Sequence, residues 1–517
     1  MKTYPSRRRF LQEIGKGAIM GAIGPSLASE LGMLPALRAD EGKPGLHFGD
    51  LEPLVAFMQE TPLEDLQSSI VAKISKGASV ERLVSAGALA NARSFAGEDY
   101  IGFHTLMAMK PALKMASLIS GKSSPLPVLK VLYRNTNRIQ EHGGREKEKL
   151  NHIPEAMLKG SGNQLLDFVR SRDIGGAERL LKGLVQKDRD MAFNALLEVV
   201  QEDTEVHRTV LPYRAWDMVD LVGEEHATTL LRQSLRYCLN AEHYRRPEWS
   251  IHGEVLTKLL DEHRLLEKEP GTVELDDEHV KALSQSIFEG SPKNAAGSVA
   301  EALAQGVDPK CIGEALSMAA NQIVLRDPGR PAKWESTGKP PGSVHGDSVG
   351  VHSSDATNAW RNLSRVSQGR NIYTCLILGA WQVARDRGSR PELVREDPLP
   401  VAYHLNVFRK ITDQTQLLNS LKEMIQGNLQ GHATAVVARY AELGFAEGPV
   451  FQTLLRYAVS EDGALHAEKY FETVRSDFYN TRPAFRWNHL LGLARITASE
   501  FGRPAAGQLE ARALLQA

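Results

Sequence analysis

The chain has 517 residues, 42% of them hydrophobic and 24% charged, which is enough apolar content to bury a large core and too much for a disordered polypeptide. Its 62 Lys and Arg nearly balance 63 Asp and Glu, so charge makes no case for a nucleic acid or an anionic membrane surface as partner. Three widely spaced cysteines, Cys238, Cys311 and Cys375, exclude a disulfide framework, a CxxC metal site and a CxxCH haem attachment.

At the N-terminus, "SRRRFLQ" (Ser6 to Gln12) precedes the apolar "AIMGAIGPSLASELGMLPAL". Arg7, Arg8, Phe10 and Leu11 fall where a twin-arginine export signal has them, and the segment resembles such a signal with cleavage expected after Ala39. The resemblance implies the twin-arginine export machinery as a partner, crossing of the membrane in the folded state, and a periplasmic or otherwise exported location. Beyond residue 39 no apolar run is long enough for a membrane span.

From residue 40 onward apolar residues recur at three- and four-residue spacing, and β-branched alternating runs are scarce, which predicts an all-α fold. Two polar breaks, near 141–152 and 267–279, read as connectors. The second divides the chain into an N-terminal helical half, 40–265, and a C-terminal half, 266–517.

One short frame recurs along this helical chain. "DYIGFH", "EDTEVH", "DSVGVH" and "EDGALH" each place an acid five residues before a histidine that follows an apolar residue. They pair Asp99 with His104, Glu202 with His207, Asp347 with His352 and Glu461 with His466, the histidines lying about 100 to 145 residues apart. About one such match is expected by chance at this composition. Similar apolar helices precede the frames, "VERLVSAGALANARSF", "MAFNALLEVV", "IGEALSMAANQIV" and "FQTLLRYAV", and another helix follows each. The pattern predicts about four divergent tandem helical repeats packed around a central pocket.

Five residues along a continuous helix turn about 140° around its axis, so acid and histidine converge only if the helix breaks between them. Gly102, Gly350 and Gly463 lie inside three of the frames and permit a break; the Glu202 frame has none. Imidazole and carboxylate together suit Fe, Cu, Mn or Zn, with the carboxylate ligating or orienting the imidazole. The expected metal set is therefore His104, His207, His352 and His466 with Asp99, Glu202, Asp347 and Glu461. The alternative is that each acid caps the next helix while its histidine packs at the joint. His142, His226, His345, His404 and His489 stand outside the pattern.

The longest irregular stretch, Leu325 to Gly350, is rich in Pro and Gly and precedes His352, which suggests a lid over a site. Within it "GDSVG" (Gly346 to Gly350) matches the G-x-S-x-G nucleophile elbow with Ser348 as nucleophile, but that motif needs a strand before it and none is predicted. The cluster "EHYRRPEW" (Glu242 to Trp249) and "TRPAFRWNH" (Thr481 to His489) either lines a pocket through Arg482, Arg486 and Trp487 or packs arginine stems on tryptophan faces.

"VHSSDATNAWR" (Val351 to Arg361), followed by "GRNIYTCLILGAW" (Gly369 to Trp381), resembles the helical questin-oxidase-like families and the related helical domains found beside Rieske modules. That resemblance implies an all-α fold and oxidation of an aromatic or polyketide-like compound; no catalytic residue is carried over from it. Together these readings give an exported, metal-dependent oxidoreductase acting on a small organic molecule. The alternative is a helical-repeat binding or scaffold protein of the cell envelope without enzymatic activity.

Overall fold

The computed structural model describes residues 45–245 and 248–516. The twin-arginine pattern and the expected cleavage after Ala39 lie outside the described residues. The protein is all-α: the described residues form 23 α-helices with short 3-10 turns, and among them there are only isolated β-bridges and no strand. No helix among them is long and apolar enough to cross a membrane.

Four helices form the centre. They are labelled α1 (Tyr100–Ala116), α2 (Val206–Val222), α3 (Val349–Val366) and α4 (His466–Tyr479). α1 packs on α2, α2 on α3, α3 on α4 and α4 back on α1, closing a cycle that spans both halves of the chain. Lys114 of α1 pairs with Asp217 of α2 at 3.6 Å and with Glu472 of α4 at 2.9 Å. Lys114 and Asp217 each lie ten residues beyond their helix's frame histidine, so α1 and α2 run in the same sense.

Each helix starts for a local reason. The Asp99 carboxylate accepts the Gly102 amide at 2.7 Å and caps α1, the Glu205 carboxylate accepts the Arg208 amide at 2.9 Å and caps α2, and Ser348 Oγ accepts the Val351 amide at 3.4 Å for α3. α4 has no side-chain cap; it begins after three successive residues with positive φ, Gly463 (50°), Ala464 (46°) and Leu465 (68°). Non-glycine residues in that left-handed region cost about 1–2 kcal/mol each, so the sharp entry to α4 is held by its surroundings. α1 is pinned beside its first turns by a buried knot in which Asn91 donates to the Gly102 carbonyl at 2.8 Å and Thr105 donates to Asn135 at 2.8 Å.

Only one of the three frame glycines sits at a break. Gly463 does, with its positive φ, but Gly102 and Gly350 lie inside α1 and α3. They are glycines for packing: a Cβ on Gly102 would stand 2.5 Å from the Phe95 ring, and one on Gly350 would stand 2.9 Å from the backbone of Val324.

Candidate metal centre

The cycle of helices brings His104, His207, His352 and His466 together at the N-terminal ends of α1 to α4, respectively. Ring centroids lie 4.8 Å apart for His104 and His207, 5.7 Å for His207 and His352, 5.2 Å for His352 and His466, and 5.2 Å for His466 and His104. The rings approach as two nitrogen pairs. Nε2 of His207 is 3.2 Å from Nε2 of His104, and Nε2 of His352 is 3.1 Å from Nε2 of His466.

The other ring nitrogens settle which tautomers are present. His104 Nδ1 faces the Tyr100 carbonyl at 2.7 Å, His466 Nδ1 faces the Ala464 carbonyl at 3.2 Å, and His207 Nδ1 faces the Glu205 carboxylate at 2.6 Å. Those oxygens only accept, so each Nδ1 carries the proton and, in the neutral ring, each Nε2 presents a lone pair inward. Burial holds His104 and His466 well below the ordinary imidazole range, and burial with the neighbouring His207 brings His352 down to about 3. Nε2 of His104 thus turns a lone pair toward His207 Nε2, a position that either a proton carried by His207, paired as it is with Glu205, or a shared cation can satisfy.

The sequence expectation joined each histidine to the acid five residues earlier, and the four acids point elsewhere. Asp99 holds Arg138 at 2.6 Å in addition to capping α1. Glu202 pairs with Arg170 at 2.9 Å and Arg245 at 2.5 Å. Asp347 pairs with Arg330 at 3.0 Å and Lys339 at 2.5 Å. Glu461 accepts the amides of Gly502 at 3.0 Å and Arg503 at 2.6 Å. Arginine, lysine and helix or loop amides satisfy these carboxylates, so the geometry supplies four imidazoles without carboxylate ligands. Ser348, the serine of the nucleophile-elbow match, is the cap of α3 and follows no strand.

Glu205 is the residue the sequence frame missed. It lies two positions before His207, holds its Nδ1, caps α2 and accepts the Tyr237 hydroxyl at 2.7 Å. Burial pushes its carboxyl up, but the hydrogen bonds from His207, Tyr237 and the backbone prevail and hold it at about 2. Its side chain nonetheless keeps 37% of its surface open to solvent. The signal available in the sequence was a capping residue directly before "VH", three residues ahead of the α2 amide it accepts.

Around the ring, Tyr100 is exposed and packs over His104 at 4.4 Å and beside His207 at 5.7 Å, and Phe103 stacks on His104 at 5.0 Å. The 325–350 loop packs against His466. Its Gly346 approaches so closely that a Cβ there would stand 2.2 Å from His466 Cβ, and its amide donates to Glu500 at 2.8 Å. Over the next one to three turns into the bundle the interior stays polar: Thr473 donates to Asp355 at 2.8 Å, and Asp477 binds Asn358 at 2.8 Å and Arg361 at 2.9 Å. Lys469 is buried in the same layer, and burial brings its ammonium down to about 8 against the opposing pull of Asp355.

Among the described residues no group of three or more His, Cys, Asp or Glu side chains is placed so that it could hold a metal ion as it stands. The donor chemistry still fits one. Bonds of about 2.0–2.1 Å in a tetrahedron place ligand nitrogens about 3.3–3.4 Å apart, close to the two nitrogen pairs seen, and outward hydrogen bonds from Nδ1 are what orient histidine ligands. Comparison with family models, with curated proteins and with solved structures returns no match for this chain.

Proposed function

We propose that the four imidazoles hold a single transition-metal ion and that the protein uses it as an oxidoreductase on a small organic molecule. One observation carries the reading: the Nε2 atoms of His104 and His207 face each other at 3.2 Å while both Nδ1 protons are committed outward. Four imidazole nitrogen donors suit Fe, Cu or Zn better than Mn, which prefers carboxylates. A redox-active ion held there supplies electron transfer to or from a bound molecule.

The rest of the chemistry belongs to the chain. Glu205 and the Tyr100 and Ala464 carbonyls orient three of the rings, Tyr100 and Phe103 shield the His104 side, and Lys469 with Asp355 holds a proton within the bundle. The Arg7–Arg8 pattern supports export by the twin-arginine route, which carries folded proteins and so allows an ion to be inserted beforehand. The resemblance at Val351 to Arg361, whose helix contributes His352, supports oxidation as the reaction class.

Elemental analysis of protein purified from its own export route tests the reading. One metal per chain, lost on His104→Ala, supports it. A metal-free chain whose His104→Ala variant melts like the parent overturns it and favours a binding or scaffold protein.

A further inference from the structure

The four histidines are not equivalent. His104, His207 and His466 each have Nδ1 tied to an acceptor, at 2.7, 2.6 and 3.2 Å. His352 has none: among the described residues its only ring hydrogen bond is through Nε2, to His466. The inward lone pair of His466 makes His352 Nε2 the donor of that contact, but without an outer hydrogen bond nothing holds the ring once an ion moves this proton to Nδ1, and the ring lacks the partner that raises a ligand's basicity.

Access distinguishes it as well. His104 and His466 are buried at 3% and 4% exposure, whereas His207 and His352 both keep part of their surface open. The His207–His352 edge is also the widest of the cycle, at 5.7 Å between centroids. Tyr100 and Phe103 pack on both His104 and His207, and Gly346 closes the His466 side, which leaves His352 with only His207 and His466 as ring neighbours among the described residues. The ring without an anchor is thus also one of the two that keep part of their surface open.

We infer that His352 is the exchangeable ligand of the centre, and that a small anionic or diatomic donor enters at its coordination position while His104, His207 and His466 retain the ion. The inference rests on the metal reading above and specifies how that same site opens. It makes His352 a gate, since the ring both completes the resting ligand set and yields its place. The other three rings, held from outside by two carbonyls and a carboxylate, have no comparable freedom.

The test uses the full-length protein loaded with Co2+, a spectroscopic stand-in for the resident ion, with azide as the entering anion. His352→Ala and His352→Gln are expected to lose Co2+ affinity by about 10–100-fold, no more than the loss of an outer-shell partner costs, while His104→Ala and His466→Ala fall by more than about 100-fold. Azide is expected to shift the visible Co2+ bands of both His352 variants at concentrations well below those needed for the parent. Using two substitutions guards against one that fails to fold, and thermal melts of the metal-free chains report folding separately. If both folded His352 variants lose Co2+ as severely as His104→Ala, or azide acts identically on parent and variants, the exchangeable-ligand assignment is overturned and the metal reading stands. If the parent itself binds no Co2+, the metal reading fails and this inference with it.

Discussion

Glu205 offers the most direct test of how the ring is oriented. Its carboxylate receives His207 Nδ1 at 2.6 Å, the Arg208 amide at 2.9 Å and the Tyr237 hydroxyl at 2.7 Å. Glu205→Gln keeps one acceptor oxygen and the shape but removes the charge. The difference between a charge-assisted and a neutral hydrogen bond is about 1 kcal/mol, and with 37% of the side chain exposed the low end applies, so metal affinity is expected to fall by about fivefold. Glu205→Ala also removes the α2 cap, at about 1 kcal/mol, strands the Tyr237 hydroxyl and frees the His207 ring. Loss of an outer-shell partner then gives a fall of about 10–100-fold in affinity. Competition for Zn2+ against a chromophoric chelator measures both variants, and denaturant unfolding of the metal-free chains separates the cap from the ligand effect. The reasoning fails if Glu205→Ala holds Zn2+ as tightly as the parent, or if the cap loss seen in unfolding accounts for the whole change.

Three further outcomes follow from the same geometry. Gly346→Ala forces a methyl to 2.2 Å from His466 Cβ, where neither backbone can yield cheaply; a stability loss of about 1–3 kcal/mol and weakened metal binding are expected, read by thermal melting and chelator competition. Asp99→Ala removes a cap and the Arg138 pair but no ligand, so unfolding free energy should drop by about 1–2 kcal/mol with metal stoichiometry intact. Glu500, facing Lys130, Arg503 and Asp347, is pushed up to about 7 by burial despite accepting the Gly346 amide. A carboxyl raised on folding stabilises the protein while protonated, fully below about pH 4.5, and loses that contribution as pH rises through about 7; the full span is at most about 3 kcal/mol. Glu500→Gln, which keeps an acceptor for Gly346, should flatten the fall in melting temperature over that interval, and an unchanged pH profile would refute the assignment.

The helical class was legible because amphipathic three- and four-residue spacing runs through nearly the whole chain, and nothing in it competes with a period-two pattern. The four histidines were legible for a different reason. Each lies within the first five residues of a central helix, and helix starts carry a recognisable signature of acid or hydroxyl followed by an apolar run. What the frame could not reveal was which acid does what. Asp99 is the extended cap just ahead of α1 and His104 lies in its first turns, so the carboxylate turns back to the Gly102 amide and out to Arg138 while the imidazole turns inward. Glu205 escaped because the recurring frame has a spacing of five, whereas a cap that also orients the histidine needs a spacing of two. The role of Gly346 was equally hidden, since its partner His466 lies 120 positions away in the sequence.

Electrostatics explains why acids accompany these histidines without ligating anything. Four helices begin at the ring, so four partly positive ends converge there, each worth about half an elementary charge, and a bound cation adds to that field. Each helix answers with a carboxylate at its start: Asp99 on α1, Glu205 on α2, Asp347 just ahead of α3, and on α4 Glu468, which is fully buried and tied to Lys130 at 2.6 Å. A charge acting on a helix end contributes about 0.3–1 kcal/mol, so neutralising Asp99 or Asp347 through space should change metal affinity by no more than about fivefold. Removing a ring nitrogen removes a bond to the ion itself. The order expected on chelator competition is therefore His104 and His466 variants weakest, Glu205 variants intermediate, and Asp99→Asn and Asp347→Asn nearest the parent. An Asp99→Asn chain as depleted as His104→Ala would mean that the carboxylate, and not the imidazole pair, defines the centre.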